Sequence, residues 1–495
     1  MRRIIAIAVV ALAPVLAGVP AGAASGPNSF ADNTAAPLED DVVAPAYDSG
    51  PISLSALTEY SGDKLQIIVW PNDTKRYSLG TDQIGVYVCT WPGATAGINL
   101  ASATQVLNNQ VVPFYDGISG GLYKPQFISR KTLTLDDAQS VWSDCENAMR
   151  EQANPLWSDE GALGILDNTS NEGQGTPGTY CYNCANPADT TFPGNGRWAV
   201  IEGESVKSFF GYDPHITTAA HEVGHMISFP HSYSGEVLTD GSGNTYIDEY
   251  DNPIDYMSGN DPASLLGRRV EYPYSTLAFN RYRAGWIDPS DVVFYTGGVV
   301  DLTIAPVGVD GIQMVILPTG YQYSLVTLDA RISSDIDRIP DSFQGITSHY
   351  IEQWWRDPAD DVIKPLGGAT SRVYTYPPAP HTLDHVTAVG EQLQLDLDQG
   401  EDLLAQGAVL KVLGETADGF QIQLIGFDDI ADSVFLDNIL WLAESGITKG
   451  CGDTSFCPTD YVTRGQMAAF LVRALGYTDD GNGNLFTDDD GSVFE

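Results

Sequence analysis

The chain has few basic residues. It contains 24 Lys plus Arg against 65 Asp plus Glu among 495 residues, which gives a net charge of −41. Nucleic acids and anionic lipid surfaces are bound through neutralising positive charge, so this deficit argues against both as partners. The apolar content of 43% still predicts folded domains rather than disorder. At this length we expect two or three domains.

Long apolar runs are also scarce, and the clearest one lies at the N-terminus. The segment "MRRIIAIAVVALAPVLAGVPAGAASG" has two arginines, an apolar stretch and Ala21-Gly22-Ala23 as an A-x-A cleavage site. This pattern is typical of a secretory signal peptide, which we assign to residues 1–23. Because no later segment is apolar over a bilayer's width, we expect an exported protein with no transmembrane segment after cleavage.

The chain has only six cysteines, and export makes disulfides the expected state of each. Their spacing suggests three bridges, Cys89–Cys145, Cys181–Cys184 and Cys451–Cys457. A redox role for the "CYNC" motif is the alternative, but a structural bridge is favoured outside the cell.

Composition and periodicity divide the chain into segments. "IGVYVCTW" and "RWAVIEG" are predicted strands, and "LTLDDAQSVWSDCENAMREQ" has the apolar rhythm of a helix. Later segments are short and β-rich, with a hairpin predicted around Asp418-Gly419. We therefore expect a linker or short propeptide at 24–55, a mixed α/β domain at 56–290, an all-β sandwich at 291–426 and a helical module at 427–477.

The C-terminal region contains an internal repeat with an offset of 59 residues. Phe427, Asp429, Ser433, Val434 and Phe435 recur as Phe486, Asp488, Ser492, Val493 and Phe494. Residues 478–495 are thus predicted to begin a second copy of the module. A repeat buries its apolar face against its neighbours, so we expect the sequence to be a fragment of a longer reading frame.

Histidine is rare, yet three of the seven histidines lie in "TTAAHEVGHMISFPHSY". His221 and His225 are four residues apart and project from one face of a helix. Zinc in catalytic sites takes three protein ligands and leaves a position for water. Glu222 is placed to take a proton from that water, as in the H-E-x-x-H mechanism. We therefore predict a zinc centre.

This segment resembles the metzincin proteases, whose extended motif is H-E-x-x-H-x-x-G-x-x-H. The resemblance implies that His221, His225 and His231 are the zinc ligands and that Glu222 is the general base. Ser228 stands where the family has glycine. A downstream carboxylate, Asp248 or Glu249, is the alternative third ligand.

The resemblance extends beyond the histidines. "NPIDYMSG" resembles the metzincin methionine turn, which implies that Met257 lies beneath the metal. "LAFNRYRAGWIDP" and "YSLVTLDARISSDIDRIPDSFQGITSHYIEQ" resemble gametolysin and immune inhibitor A proteases. These families imply an α/β zincin catalytic domain followed by a β-module. For the loop at 239–252, calcium coordination and an acidic solvated loop both remain open.

The tail "DNILWLAESGITKGCGDTSFCPTDYVTRGQMAAFLVRAL" resembles an S-layer homology (SLH) module. This resemblance implies non-covalent attachment to a cell-wall polysaccharide, with Thr463 and Arg464 at the binding motif. A guanidinium suits acidic sugar substituents because its planar fork pairs with them. A small helical packing module is the alternative.

Together these observations predict a secreted zinc endopeptidase that cleaves protein or peptide substrates and is tethered to a bacterial cell surface. The alternative is a surface-layer or cell-wall-binding protein whose protease-like domain is inactive. Glu222 favours the enzyme, because an inactive domain has no need of the base. A zinc hydrolase acting on other substrates also fits the motif.

Overall fold

The fold is taken from a computed structural model of the chain. It describes residues 78–137, 141–153, 160–169, 197–207, 216–227, 229–233, 237–239, 245–247, 252, 254–258, 274–295, 297–318, 324–339, 343–352, 354–357, 362–365, 372–375, 387, 390–395, 408–430, 433–452 and 454–477. The predicted signal peptide, the linker at 24–55, the Cys181–Cys184 bridge and the second repeat at 478–495 lie outside these residues.

The N-terminal part is built on a parallel sheet of four strands in the order β2-β1-β3-β4. The strands are β1 (Gly80–Thr90), β2 (Tyr123–Thr134), β3 (Gly161–Leu166) and β4 (Trp198–Glu202). The helices are α1 (Leu100–Ile118), α2 (Val141–Ala153) and α3 (Thr217–Met226). The α1 and α3 side chains pack on one face of the sheet, and α2 packs on the other. Both faces are buried, as parallel sheets require.

Two predicted strands are confirmed here, since "IGVYVCTW" falls largely in β1 and "RWAVIEG" contains β4. The predicted helix at "LTLDDAQSVWSDCENAMREQ" begins later than expected, because its first residues belong to the end of β2 and the turn after it. Helix α1 carries Pro113 in its interior and begins after Asn99, whose side chain accepts the Ser102 N–H. The Cys89–Cys145 bridge is confirmed and joins β1 to α2.

The middle of the chain forms two larger sheets. The first has the order β5-β15-β12-β11-β10-β8 and the second the order β16-β17-β18-β9. The first contains β5 (Ser232–Tyr233), β8 (Val292–Phe294), β10 (Met314–Pro318), β11 (Ser324–Arg331), β12 (Gly345–Glu352) and β15 (Arg372–Thr375). The second contains β9 (Gly298–Ile304), β16 (Gln392–Leu395), β17 (Ala408–Thr416) and β18 (Gly419–Gly426).

Apolar side chains of both sheets fill one core, for example Leu328 of β11 and Leu410 of β17. The predicted hairpin is confirmed as β17 and β18, with Thr416 paired to Gly419.

Short antiparallel hairpins are formed by β6 (Val237–Thr239) with β7 (Thr245–Ile247) and by β13 (Trp354–Asp357) with β14 (Val362–Pro365). The chain is therefore a mixed α/β structure with several sheets, in agreement with the predicted class at that level.

The six-stranded sheet takes strands from both sides of residue 290. Strand β5 directly follows His231 and pairs in parallel with β15. Helix α4 (Ala278–Arg283) packs through Phe279 and its neighbours on β10, β11 and β12. The segments at 232–233 and 274–287 thus share structure with the β-rich region.

The C-terminal part contains α5 (Leu436–Glu444) and α6 (Arg464–Leu475). Ile439, Leu440 and Ala443 of α5 pack on Val409 and Ile425 of the hairpin. The Cys451–Cys457 bridge is confirmed and closes the loop between the two helices. Among the helices that the structure describes, none has the length and apolar character that crossing a membrane needs.

Candidate metal centre

Helix α3 places two histidines in the interior of the N-terminal part. All ten of its residues are buried, and it follows the edge strand β4 in the chain. The buried Arg197 guanidinium donates to Met226 O at 3.3 Å and forms an ion pair with Asp82. A cation at a helix C-terminus is favourable because the carbonyl ends carry partial negative charge. The end of α3 is therefore fixed from the sheet side.

The structure brings the three predicted histidine ligands together. The Nε2 atom of His225 lies 3.0 Å from Nε2 of His221 and 2.8 Å from Nε2 of His231. One nitrogen from each ring can be chosen so that all three lie within 4.8 Å of one another. Ligands of a tetrahedral zinc ion at about 2.0–2.1 Å are separated by about 3.3 Å. The spacing of the rings therefore fits a single small cation.

The other ring nitrogens determine which tautomer the two helix histidines adopt. Nδ1 of His221 contacts Tyr256 O at 3.0 Å, and Nδ1 of His225 contacts Phe229 O at 2.8 Å. A carbonyl oxygen only accepts, so each Nδ1 carries the proton and, in a neutral ring, Nε2 carries a lone pair. Two lone pairs then face each other across 3.0 Å. A metal ion between the rings would convert this repulsion into coordination, and the carbonyls hold the rings in an orientation suited to it.

The electrostatic surroundings favour neutral imidazoles. Burial, followed by the nearby His231, lowers the pKa of His221 to about 3. Burial also lowers the pKa of His225 well below its usual value, with His231 and His221 as further causes. Metal ligation needs the unprotonated ring, so these two side chains are ready to bind at neutral pH. His231 is partly exposed, which puts the solvent side of the centre at the third ring.

Glu222 follows His221 on the same helix and is 2% exposed. Burial raises the pKa of the Tyr115 hydroxyl, and the negative charge of Glu222 raises it further, although the hydrogen bond with Tyr256 lowers it. Tyr115 donates to Ala220 O at 2.6 Å and lies 3.0 Å from the Tyr256 hydroxyl. Glu222 is thus a buried carboxylate adjacent in sequence to His221, and its role as general base stays a prediction.

Met257 is fully buried and lies against α3, and its place beneath a metal ion stays a prediction. A Cβ atom at Gly224 would come within 2.3 Å of Met257 Sδ and 2.9 Å of Tyr256 Oη. Glycine at this helix position therefore lets the turn approach the backbone, which no larger residue would allow without displacement. The turn also supplies the carbonyl that orients His221.

Three residues singled out from the sequence lie outside the described residues. They are Ser228, which replaces the family glycine, and the two alternative third ligands, Asp248 and Glu249. Of the loop at 239–252, the structure describes residues 239, 245–247 and 252, so the choice between calcium and a solvated loop stays a prediction. Among the described residues, the three histidines are the one group of His, Cys, Asp or Glu placed to hold a metal ion.

Thr463 and Arg464 are both exposed at the start of α6. Thr463 is the N-cap, and it forms a capping box with Gln466 in which each side chain bonds the other residue's backbone N–H. This cap fixes where the helix begins and leaves Arg464 on the surface. Thr463 therefore stabilises the N-terminal end of α6.

Several residues that support the centre were not identified from sequence. Tyr256 and Phe229 act through backbone carbonyls, which every residue has, so no sequence signal marks them. Asp255 organises the turn, and Arg197 holds the end of α3. Asp82 lies in β1 two residues before the predicted strand "IGVYVCTW", and no sequence signal marks it.

Comparison with known families concerns the C-terminal part. Residues 426–468 match the S-layer homology domain. The match covers the end of β18, all of α5 and the beginning of α6, and it does not reach the three histidines. No curated protein sequence matches the chain. A domain of this family supports association with a bacterial cell surface through cell-wall binding.

Proposed function

We propose that the protein is a zinc-dependent endopeptidase held at the cell surface by its S-layer homology domain. The observation that carries the proposal is the set of three Nε2 atoms, two of them on rings whose Nδ1 atoms are fixed by backbone carbonyls. His221, His225 and His231 would hold the ion. This geometry joins residues from a helix and from the segment after it, which supports a built site rather than a chance cluster.

Bound zinc would polarise the scissile carbonyl and lower the pKa of its water ligand. The chain's own residues would do the rest. Glu222 would take the proton from the attacking water and pass it to the departing amine nitrogen. The buried surroundings of this carboxylate keep bulk water away and strengthen its electrostatic interactions. Tyr256 and Phe229 would keep the two helix histidines in the required tautomer.

The most direct experiment measures metal content and proteolysis on one sample of the purified chain. We expect about one zinc ion per chain, cleavage of casein, and loss of cleavage with a chelator that zinc restores. Cleavage that persists after the metal has been removed would rule out the zinc mechanism. Bound zinc without cleavage of proteins or peptides would favour the inactive surface protein or a hydrolase for other substrates.

The anchoring part of the proposal has a separate test. The Arg464 guanidinium is exposed at the start of α6, where an acidic polysaccharide could reach it. We expect Arg464→Ala to reduce co-sedimentation with purified bacterial cell wall. Lys449→Ala removes an equal charge from another exposed position of the same domain and serves as the control. Equal retention of both variants would remove Arg464 from the binding site.

A further inference from the structure

The third histidine differs from the other two in its support. His221 and His225 lie on a rigid helix, whereas His231 comes after the helix has ended. A ligand on an irregular segment needs fixing from elsewhere, because a small displacement of its ring weakens coordination. The structure shows two such attachments next to His231.

The first attachment is strand β5, which begins at Ser232. It pairs in parallel with β15, with Val373 opposite Ser232, and β15 in turn pairs with β12. Ser232, the residue after His231, therefore lies in the edge strand of the six-stranded sheet. Ser232 is fully buried, and its N–H donates to Met257 O at 3.3 Å. The same residue thus joins the sheet to the methionine turn.

The second attachment is the turn at 254–258, in which Asp255 is central. Its Oδ1 accepts the Met257 N–H at 3.1 Å, and its carbonyl accepts the Ser258 N–H at 3.0 Å. The side chain is 3% exposed, and the carbonyl of Met257, whose N–H it accepts, itself accepts the Ser232 N–H. The Asp255 carboxylate therefore fixes Met257, which contacts both α3 and the residue next to His231.

The turn is itself fixed to the six-stranded sheet. Asn252 donates its backbone N–H to Ser258 Oγ at 2.7 Å, and its side-chain nitrogen lies 3.4 Å from Nε2 of His349 on β12. Ile254 packs in a cluster with Ile339 and Phe343 from the β-rich region. Both attachments of the third ligand thus lead to the same sheet.

We propose that Asp255 is a positioning residue for the metal centre, because it holds the methionine turn and the segment of His231 in one arrangement on the six-stranded sheet. This inference rests on the proposed function, since it assigns Asp255 to a centre that binds zinc. It also makes the β-rich region part of the metal centre. Asp255 touches neither the metal nor the substrate in this role.

The test uses the full chain and zinc alone as the probe. Zinc affinity is measured by competition with a chelator, and X-ray absorption at the zinc edge counts the imidazole ligands. Asp255→Ala should weaken zinc binding by about tenfold or more and reduce the imidazole count. Asp255→Asn should keep both close to wild type, because its amide oxygen still accepts the Met257 N–H.

Leu410→Ala is the control for lost stability. Leu410 is fully buried in the core between the two larger sheets, so its truncation leaves a cavity away from the centre. We expect this variant to keep the wild-type zinc affinity. An equal loss in Leu410→Ala and Asp255→Ala would assign the effect to stability and overturn the inference. If Asp255→Ala does not fold, His349→Leu replaces it, with an expected loss of about tenfold.

The outcomes separate this inference from the proposed function. Wild-type protein that binds zinc through three imidazoles, with unchanged binding in Asp255→Ala, would overturn the positioning role and leave the zinc centre standing. Wild-type protein that binds no zinc would overturn both. Loss in Asp255→Ala with recovery in Asp255→Asn supports the inference.

Discussion

The two nitrogens of each helix histidine have different tasks. Nδ1 donates to a carbonyl oxygen, which fixes the ring and leaves the lone pair of Nε2 in the centre. Burial then keeps the rings neutral, as the lowered pKa of His221 indicates. The carboxylate of Glu222 is the remaining reactive group of the motif, and it is also buried. The proposed zinc centre therefore depends on the placement of single ring nitrogens and of one carboxylate.

Glu222→Gln removes the proposed base with almost no change in shape. We expect zinc content and folding to stay as in wild type, since the residue is not a ligand. Casein cleavage should fall by a factor of about 10² to 10⁴, which is the usual contribution of a general base. Glu160→Gln makes the same charge change at a residue that pairs with Arg130 and should keep activity. Undiminished cleavage by Glu222→Gln would mean that another group takes the proton.

Asp255 gives the metal-free protein a predictable pH dependence. Burial raises the pKa of Asp255 from 3.8 to about 6, although the Met257 N–H, the Ser232 hydroxyl and the Arg331 charge lower it. Between these pH values the folded state holds a proton that the unfolded state has released. This contribution to stability is therefore complete below pH 3.8 and is lost as the pH rises to about 6.

Asp255→Asn should remove this dependence. In urea unfolding of chelator-treated protein, the variant should gain on wild type by about 3 kcal/mol between about pH 4 and pH 7, since each pKa unit corresponds to about 1.4 kcal/mol. Unfolding free energies that run parallel across this range in the two proteins would contradict the assignment.

At the scale of elements, α3 and the methionine turn are in close contact at Gly224. The turn approaches so closely that the helix has room only for glycine at position 224. Helix α1 provides a comparison, since Gly117 also lies in a helix but a Cβ there would meet Ile336 at an ordinary 3.7 Å. The two glycines differ in what surrounds them.

Gly224→Ala should therefore destabilise the protein by about 1–3 kcal/mol and weaken zinc binding, because the added methyl group displaces Met257 and Tyr256. Gly117→Ala should be neutral or stabilising by about 0.5–1 kcal/mol, since alanine favours the helix. Thermal unfolding and zinc titration of both variants check this pair. A stable, fully zinc-binding Gly224→Ala protein would show that the turn can move away at little cost.

At the scale of the whole molecule, the two described disulfides stabilise different parts. Cys89–Cys145 spans 56 residues of the N-terminal part, and Cys451–Cys457 spans 6 residues of the C-terminal domain. In the chain-entropy description, the larger loop stabilises by about 4 kcal/mol and the smaller by about 2 kcal/mol.

Replacing both Cys89 and Cys145 with serine should lower the unfolding temperature of the N-terminal part and reduce zinc retention on heating. The double serine variant of Cys451 and Cys457 should instead reduce cell-wall binding and leave zinc retention unchanged. Calorimetry combined with zinc release during heating distinguishes the two. Equal effects of both replacements on zinc release would mean that the two parts unfold as one unit.

Sequence patterns identified those elements whose residues carry a local signal. Buried strands such as β1 are continuous apolar runs, and the β17–β18 hairpin follows from alternation around Asp418-Gly419. Helix α1 was absent from the expectations, because Pro113 and neighbouring valines oppose a helix locally. Burial of one face against the parallel sheet overrides this preference.

By itself, the sequence determined the candidate ligands and the candidate base of the proposed centre, because histidine spacing fixes which rings share a helix face and the glutamate adjoins the first of them. It also determined the C-terminal domain, whose helices and loop are contiguous in the chain. Only the tertiary structure decided what holds the rings. Their partners are backbone carbonyls and a sheet edge contributed by residues far along the chain, as in the contact of His221 with Tyr256. Such partners depend on how the chain packs, so side-chain identity does not reveal them.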